Sequence, residues 1–78
     1  MYAMKEYDLF MGSDCPACSV LKQNMDKKDR DRCNMIDVGD VANIPLVTGY
    51  GVSTIPCLLA DGRKIFGASA ILDFLKTH

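Results

Sequence analysis

Alternating hydrophobic and polar positions predict four short strands, at residues 5–11, 33–38, 57–59 and 63–66. In the first strand, Tyr7, Leu9 and Met11 share one face, and Phe10 lies on the other. Asp61-Gly62 stands between the third and fourth strands and is a dipeptide typical of hairpin turns. These last two strands are therefore expected to pair antiparallel.

Hydrophobic residues at helical spacing predict helices that alternate with the strands. The first helix is expected over residues 15–28, the second over 43–50 with Asn43 as its N-cap, and the last from Ser69, its N-cap, onward. The hydrophobic positions are Ala17, Val20, Leu21 and Met25 in the first helix, and Ile71, Leu72 and Leu75 in the last. The charges of residues 26–32 alternate in sign, which indicates a solvated helix end and connection.

The order of these elements is β-α-β-α-β-β-α, which indicates an α/β fold. A strand, a helix and a strand at this spacing predict a right-handed crossover and a parallel pair, while the hairpin adds an antiparallel pair. The expected architecture is a four-stranded mixed sheet with helices on both faces. At 78 residues, the whole chain is expected to form a single domain.

Charge and composition narrow the classes of function. The net charge of −1 provides no electrostatic basis for binding nucleic acid or an anionic membrane. No hydrophobic run approaches the length of a membrane span, and the N-terminus does not resemble an export signal. We therefore expect a cytoplasmic protein, in which the four cysteines are reactive groups rather than structural disulfides.

The chemistry is expected at Cys15-Pro16-Ala17-Cys18, between the first strand and the first helix. Cys15 falls at the predicted N-cap and Pro16 at the first helical position, where proline is well accommodated. Cys18 follows on the same edge of the first turn, within reach of a disulfide. The backbone N–H groups and dipole of the helix favour a Cys15 thiolate. Cys15 is therefore the predicted nucleophile, and the more shielded Cys18 is the predicted resolving thiol.

The four cysteines could have roles other than redox chemistry. A zinc ribbon requires a second close pair, whereas Cys33 and Cys57 stand alone. A secreted disulfide framework would require an export signal, and inert core cysteines would not explain Pro16 at the helix start. Cys33 and Cys57 themselves are expected to be small core residues, although Cys57 follows Pro56 and a redox or regulatory role remains an alternative for it.

The element order and the Cys-Pro-x-Cys motif together resemble the thioredoxin superfamily. Thr54-Ile55-Pro56 resembles the segment in that family whose proline is cis and lies against the active cysteines, and Phe66-Gly67-Ala68-Ser69 resembles the turn before the last helix of glutaredoxins. The resemblance implies a dithiol thiol–disulfide oxidoreductase of glutaredoxin-like type, monomeric and without a bound cofactor or metal. It also implies these substrate-binding residues: Pro16, Ala17, Thr54, Ile55, Pro56, Gly67, Ala68 and Ser69.

Differences from that family bear on the substrate and the reductant. Gly12 stands where glutathione-binding glutaredoxins usually carry a lysine, and Asp14 adds a carboxylate beside the nucleophile. We therefore expect weak glutathione binding and a disulfide-containing protein as substrate, with glutathione or a flavin-dependent reductase restoring the dithiol. One alternative is a thioredoxin-type electron donor served by that reductase alone. Another is a module in which Cys15 ligates an iron–sulfur cluster shared between two chains, against which Pro16 weighs because related cluster-binding proteins usually have glycine there.

Overall fold

The computed structural model describes residues 6–78, which form a four-stranded mixed sheet in the order β2-β1-β3-β4. The four strands are β1 (Tyr7–Met11), β2 (Cys33–Asp37), β3 (Cys57–Ala60) and β4 (Arg63–Phe66). Strand β1 pairs parallel with β2 and antiparallel with β3, and β3 pairs antiparallel with β4. The predicted α/β class and strand pairing are confirmed; Lys5, the predicted start of β1, lies outside the described residues.

Residues 6–78 also form four α-helices and one short 3-10 helix. They are α1 (Pro16–Asn24), α2 (Lys27–Arg32), the 3-10 helix Val41–Asn43, α3 (Ile44–Tyr50) and α4 (Ala68–Thr77). Helix α3 directly continues the 3-10 helix, which accounts for the predicted start near residue 43. Asn43 precedes α3 as predicted, but its side chain forms no capping hydrogen bond and donates instead to the backbone oxygen of Asp37 at 2.9 Å.

The predicted single helix over residues 15–28 is wrong, because the chain forms two helices there. Met25 is extended and ends α1, and Asp26 begins α2 by accepting a hydrogen bond from the Asp29 N–H at 2.8 Å. Asp29 is only 3% exposed, so the charged run is not simply a solvated connection. Val20, predicted on the hydrophobic face of the first helix, is 50% exposed.

The sheet packs against helices on both faces, and the alternation along β1 decides which residue belongs to which face. Leu9 and Met11 lie in the larger core with residues of α1 and α4, such as Leu21 and Ile71. On the other face, Phe10 packs with two residues of the neighbouring strands and with Val47 of α3. The prediction of helices on both faces follows correctly from the period of two in the strand.

Helix α4 does not begin as predicted. Its N-cap is Gly67, not Ser69, and no side chain makes a capping hydrogen bond there. Gly67 has a φ of +91°, a conformation that glycine adopts without the steric cost other residues bear. Ser69 instead lies in the first turn of the helix and is exposed. Backbone geometry at a glycine thus replaces the expected hydroxyl cap.

Ion pairs and hydrogen bonds connect α2 and its N-cap to the C-terminal half of α4. Lys76 donates to the buried Asp29 carboxylate at 2.7 Å and lies 3.5 Å from that of Asp26. The Arg32 guanidinium donates to the Glu6 carboxylate at 2.8 Å and to the backbone oxygen of Leu75 at 3.1 Å. The hydrogen bond to Glu6 raises the pKa of Arg32.

The C-terminal residue belongs to this ordered region. The His78 ring stacks on that of Phe74, with ring centroids 4.2 Å apart and planes inclined by 13°. Phe74 belongs to the last turns of α4, so this contact is local and involves no other helix or strand.

Candidate active site

Cys15 begins helix α1 and uses its sulfur as the cap. The residue is extended, with φ −134° and ψ 102°, and its Sγ accepts a hydrogen bond from the Cys18 N–H at 3.1 Å. Pro16 occupies the first helical position, where no N–H is needed for the helix. The predicted cap is therefore confirmed, and it is a cap made by a potential nucleophile rather than by the usual oxygen.

The two cysteines of the motif form a disulfide, with their Cα atoms 5.1 Å apart. They differ in access to solvent. Cys15 is partly exposed, whereas Cys18 is 1% exposed and packs in the core beneath α1. An approaching thiol or disulfide can therefore reach Cys15 and not Cys18, which matches the roles predicted for the two residues.

A second loop approaches the disulfide from the start of β3. The Ile55–Pro56 peptide bond is cis, as predicted, and the backbone oxygen of Ile55 lies 4.0 Å from the Cys15 sulfur. Pro56 is buried, and its backbone oxygen accepts a hydrogen bond from the Gly67 N–H at 3.1 Å. This bond connects the turn before α4 to the loop before β3, and that loop in turn approaches Cys15.

Gly12 has a structural role that the sequence analysis missed. A Cβ atom at this position would lie 2.7 Å from Cδ1 of Ile55 and 3.5 Å from Cγ2 of Val38. The glycine therefore leaves space for the Ile55 side chain at the loop that carries Cys15. A glycine directly after a predicted strand and before a cysteine motif is the signal that could have indicated this close approach.

The remaining predicted substrate-binding residues fall into two groups. Pro16, Ala17 and Thr54 are exposed on the loops beside the disulfide. Ala68 is half-buried and packs against the same core as Cys15 and Ile55. Ser69 is exposed and lines a shallow groove along α4 that contains neither cysteine. Gly67 and Ala68 line the same groove, which is connected to the cysteine site through the hydrogen bond between Gly67 and Pro56.

The cysteine loop and the two segments connected to it contain one charged residue. Residues 12–18, 53–56 and 67–70 include Asp14 and no lysine, arginine or histidine. Asp14 is exposed, and within residues 6–78 its carboxylate has no ion-pair or hydrogen-bond partner. A negative charge therefore stands directly before the sulfur that solvent can reach.

The other two cysteines are buried. Cys57 adjoins Pro56 in the chain, but its side chain packs with Phe10 and Ile36 on the face of the sheet opposite Cys18. Burial raises the pKa of the Cys57 thiol, which opposes thiolate formation. Proximity in sequence to the active loop therefore does not bring this thiol into the site.

Comparisons with known proteins identify no relative, since no family model, curated protein or solved structure matches the chain. Within the part of the chain that the structure describes, no group of three or more histidine, cysteine or acidic side chains could hold a metal ion. No helix formed by residues 6–78 is long and hydrophobic enough to cross a membrane. The arrangement at Cys15 is therefore the basis on which a function can be argued.

Proposed function

We propose that this chain is a small, glutaredoxin-like thiol–disulfide oxidoreductase of the thioredoxin superfamily, with a thioredoxin-type fold. The observation that supports this most strongly is the position of the Cys15 sulfur. It caps a helix, is accessible to solvent and is joined to a shielded partner three residues later. These are the conditions for a cysteine that attacks a disulfide and is then released by a second cysteine.

In the reduced protein, the helix start favours the charged form of Cys15. The Cys18 N–H that reaches the sulfur is one of the backbone groups that have no partner within the helix. A thiolate accepts such a hydrogen bond more strongly than a thiol, and the helix dipole acts in the same direction. We therefore expect the reduced Cys15 to form a thiolate more readily than a free cysteine does.

The reaction transfers two electrons from the dithiol to the substrate. The Cys15 thiolate attacks one sulfur of the substrate disulfide, the disulfide bond breaks, and the departing thiolate takes up a proton. Cys18 then loses its proton and attacks the Cys15 sulfur of the mixed disulfide. The substrate leaves as its second thiolate, and the Cys15–Cys18 disulfide remains, which is the state of the protein in this structure.

The loop before β3 offers a place for the substrate chain. Thr54 is exposed and the Ile55 backbone oxygen lies beside Cys15, so an extended segment of substrate could form backbone hydrogen bonds there. Pro16 and Ala17 are exposed on the other side of the sulfur, and both are small enough to leave it open. These residues, with Pro56, Gly67, Ala68 and Ser69, are the proposed substrate-binding set.

The proposed setting is cytoplasmic, where a reductant keeps such thiols in use. The protein would act as a monomer on a disulfide-containing protein, and glutathione or a flavin-dependent reductase would return Cys15–Cys18 to the dithiol. Neither reductant needs to be a resident cofactor. If the flavin enzyme alone serves the protein, the chain is a thioredoxin-type electron donor with the same chemistry at Cys15.

The direct test is reduction of a protein disulfide such as that of insulin. Cys15→Ser should abolish the activity, whereas Cys18→Ser should accumulate a mixed disulfide through Cys15 that is visible by mass spectrometry. Cys57→Ala is the matched control, because it removes a cysteine outside the site and should leave the reaction intact. Activity that survives Cys15→Ser would refute the proposal.

The reductant can be identified in the same assay. The oxidised protein is mixed either with glutathione and glutathione reductase or with thioredoxin reductase, with NADPH consumption as the readout in both cases. Turnover with glutathione supports the glutaredoxin-like assignment. Turnover with thioredoxin reductase alone supports the electron-donor alternative, and no re-reduction by either would contradict both.

A further inference from the structure

The charge around Cys15 suggests which disulfides the site prefers. Asp14 is the one charged residue among residues 12–18 and 53–56, and it immediately precedes Cys15. We propose that Asp14 is a specificity determinant that favours substrates with a positive charge beside the reacting disulfide and disfavours acidic ones. This inference rests on the proposed oxidoreductase function and adds the substrate class to it.

The charge of Asp14 is available because the protein does not neutralise it. Asp26 and Asp29 share Lys76, and Asp31 pairs with Lys27 at 3.1 Å. Asp14 has no corresponding cation among residues 6–78, although it is as exposed as many of these carboxylates. Asp14 is thus one of several carboxylates that have no cation among residues 6–78, and it is the one that immediately precedes Cys15.

Covalent geometry keeps this charge close to the chemistry. Consecutive Cα atoms are about 3.8 Å apart, so the Asp14 carboxylate stays near the Cys15 sulfur in any rotamer. A substrate residue next to the attacked cysteine then falls within about 10 Å of the carboxylate, the range over which charges act at about 0.1 M salt. The effect should therefore reach the substrate positions that flank the disulfide.

The expected selectivity is modest because the pair is exposed. Exposed ion pairs change binding by small factors, so each unit of charge should change kcat/KM by about two- to fivefold. A peptide disulfide with lysine beside the reacting cysteine should be reduced faster than one with glutamine, and that one faster than one with glutamate. The same field disfavours a small anionic disulfide that brings carboxylates to this site.

The experiment compares three peptide disulfides that differ only in lysine, glutamine or glutamate beside the reacting cysteine. Wild-type protein should show the order lysine, glutamine, glutamate, and the differences should diminish at 0.5 M salt. Because the attacking Cys15 thiolate is itself an anion, Asp14→Asn should narrow the ratio of the lysine rate to the glutamate rate, and Asp14→Lys should narrow it further. Ratios between peptides are compared within each variant, because a change in Cys15 reactivity alters all three rates equally.

Asp61→Asn is the matched control. Asp61 is also exposed and without a partner among the described residues, but it lies in the turn between β3 and β4, so its removal should leave the order unchanged. Equal rates for the three peptides, or an unchanged ratio of the lysine rate to the glutamate rate in Asp14→Asn, would overturn this inference while the oxidoreductase function stands. If the folded wild-type protein reduces none of the peptides and no protein disulfide, the proposed function fails and this inference fails with it.

Discussion

Helices α1 and α2 follow each other in the chain and begin in the same way, yet only α1 carries the cysteine pair. Each starts from an extended residue whose side chain accepts a hydrogen bond from a backbone N–H three residues later. In α1 the acceptor is the Cys15 sulfur at 3.1 Å, and in α2 it is a carboxylate oxygen of Asp26 at 2.8 Å. The two caps therefore provide a comparison within one molecule.

Asp26 shows what a helix start does to an anion. Its pKa is lowered, chiefly by the hydrogen bond from the Asp29 N–H. The same geometry at Cys15 should stabilise a thiolate once the disulfide is reduced. The surroundings differ, because Lys76 lies 3.5 Å from Asp26 whereas no cation stands near Cys15 in residues 12–18. A capping anion beside a lysine contributes to the fold, and an accessible sulfur without such a partner remains free to react.

The largest expected effect concerns the reactivity of the thiols. After reduction, a neutral alkylating reagent should modify Cys15 about 10-fold or more faster than any other cysteine at pH 7, because a lowered pKa increases the thiolate fraction. Cys18, Cys33 and Cys57 should be protected, since each is at most 1% exposed. Mass spectrometry of the time course measures the four rates separately.

Denaturant provides the control for this measurement. In the unfolded protein all four cysteines should react at similar rates, and Cys15 should lose its advantage together with the helix. A reduced, folded protein in which Cys15 and Cys18 react equally fast would contradict the assignment of nucleophile and resolving thiol. It would also show that the cap does not influence the sulfur as it does the carboxylate of Asp26.

The sequence predicted the first cap and not the second, for physical reasons. Cys15 and Pro16 stand before a run with hydrophobic residues at helical spacing, so a helix start was identifiable. Residues 27–32 are all charged and have no such spacing, and α2 is held instead by the buried Asp29 and its contact with Lys76. That contact joins distant parts of the chain, and no local pattern reveals it.

The same distinction separates the predicted features of the site from the missed ones. The disulfide and the cis Ile55–Pro56 bond follow from short motifs that the sequence displays. The packing of Ile55 over Gly12 and the bond from Gly67 to Pro56 depend on how loops meet after folding. Residue type alone predicts Ser69 as the N-cap of α4, whereas the positive φ of Gly67 decides where this helix begins.

The second largest effect is expected when Lys76, the cation beside Asp26 and Asp29, is removed. Lys76→Met should leave the buried Asp29 carboxylate without its partner and lower the midpoint of thermal unfolding by about 4–8 °C. Lys27→Met is the matched control, because its pair with Asp31 has side chains 91% and 58% exposed. That substitution should shift the midpoint by no more than about 2 °C. Equal shifts would show that burial of Asp29 does not matter.

A smaller effect is expected when the Asp26 carboxylate that caps α2 is removed, and this loss of stability should depend on pH. Asp26→Ala should lower the unfolding midpoint at pH 7 by about 2–5 °C, and Asp26→Asn should lower it less, because asparagine also caps helices. The pKa of Asp26 is lower in the folded protein than its ordinary value. The carboxylate therefore contributes stability above the unfolded-state pKa, and this contribution is lost as the pH falls through the folded-state pKa.

Thermal unfolding of wild type and Asp26→Ala should accordingly converge as the pH is lowered below about 4. Asp61→Asn, at an exposed carboxylate with no described partner and a positive φ that asparagine tolerates, controls for a general effect of removing one negative charge. A difference between wild type and Asp26→Ala that persists unchanged at low pH would mean that the charge on the cap contributes nothing. The comparison with Cys15 would then lose its electrostatic basis.

The smallest effect is expected when a cation is added to the loop that carries Cys15, since residues 12–18 contain none. Gly12→Lys should increase reduction of a glutathione mixed disulfide by about two- to fivefold, and added salt should diminish the gain, because the new ion pair is exposed. Any side chain at this position must displace Cδ1 of Ile55, which would lie 2.7 Å from the new Cβ. Gly12→Gln is therefore the matched control, since it moves Ile55 in the same way without adding charge. A gain shared equally by lysine and glutamine would assign the effect to the moved loop, and a wild-type protein already as fast as Gly12→Lys would show that the missing cation does not limit this site.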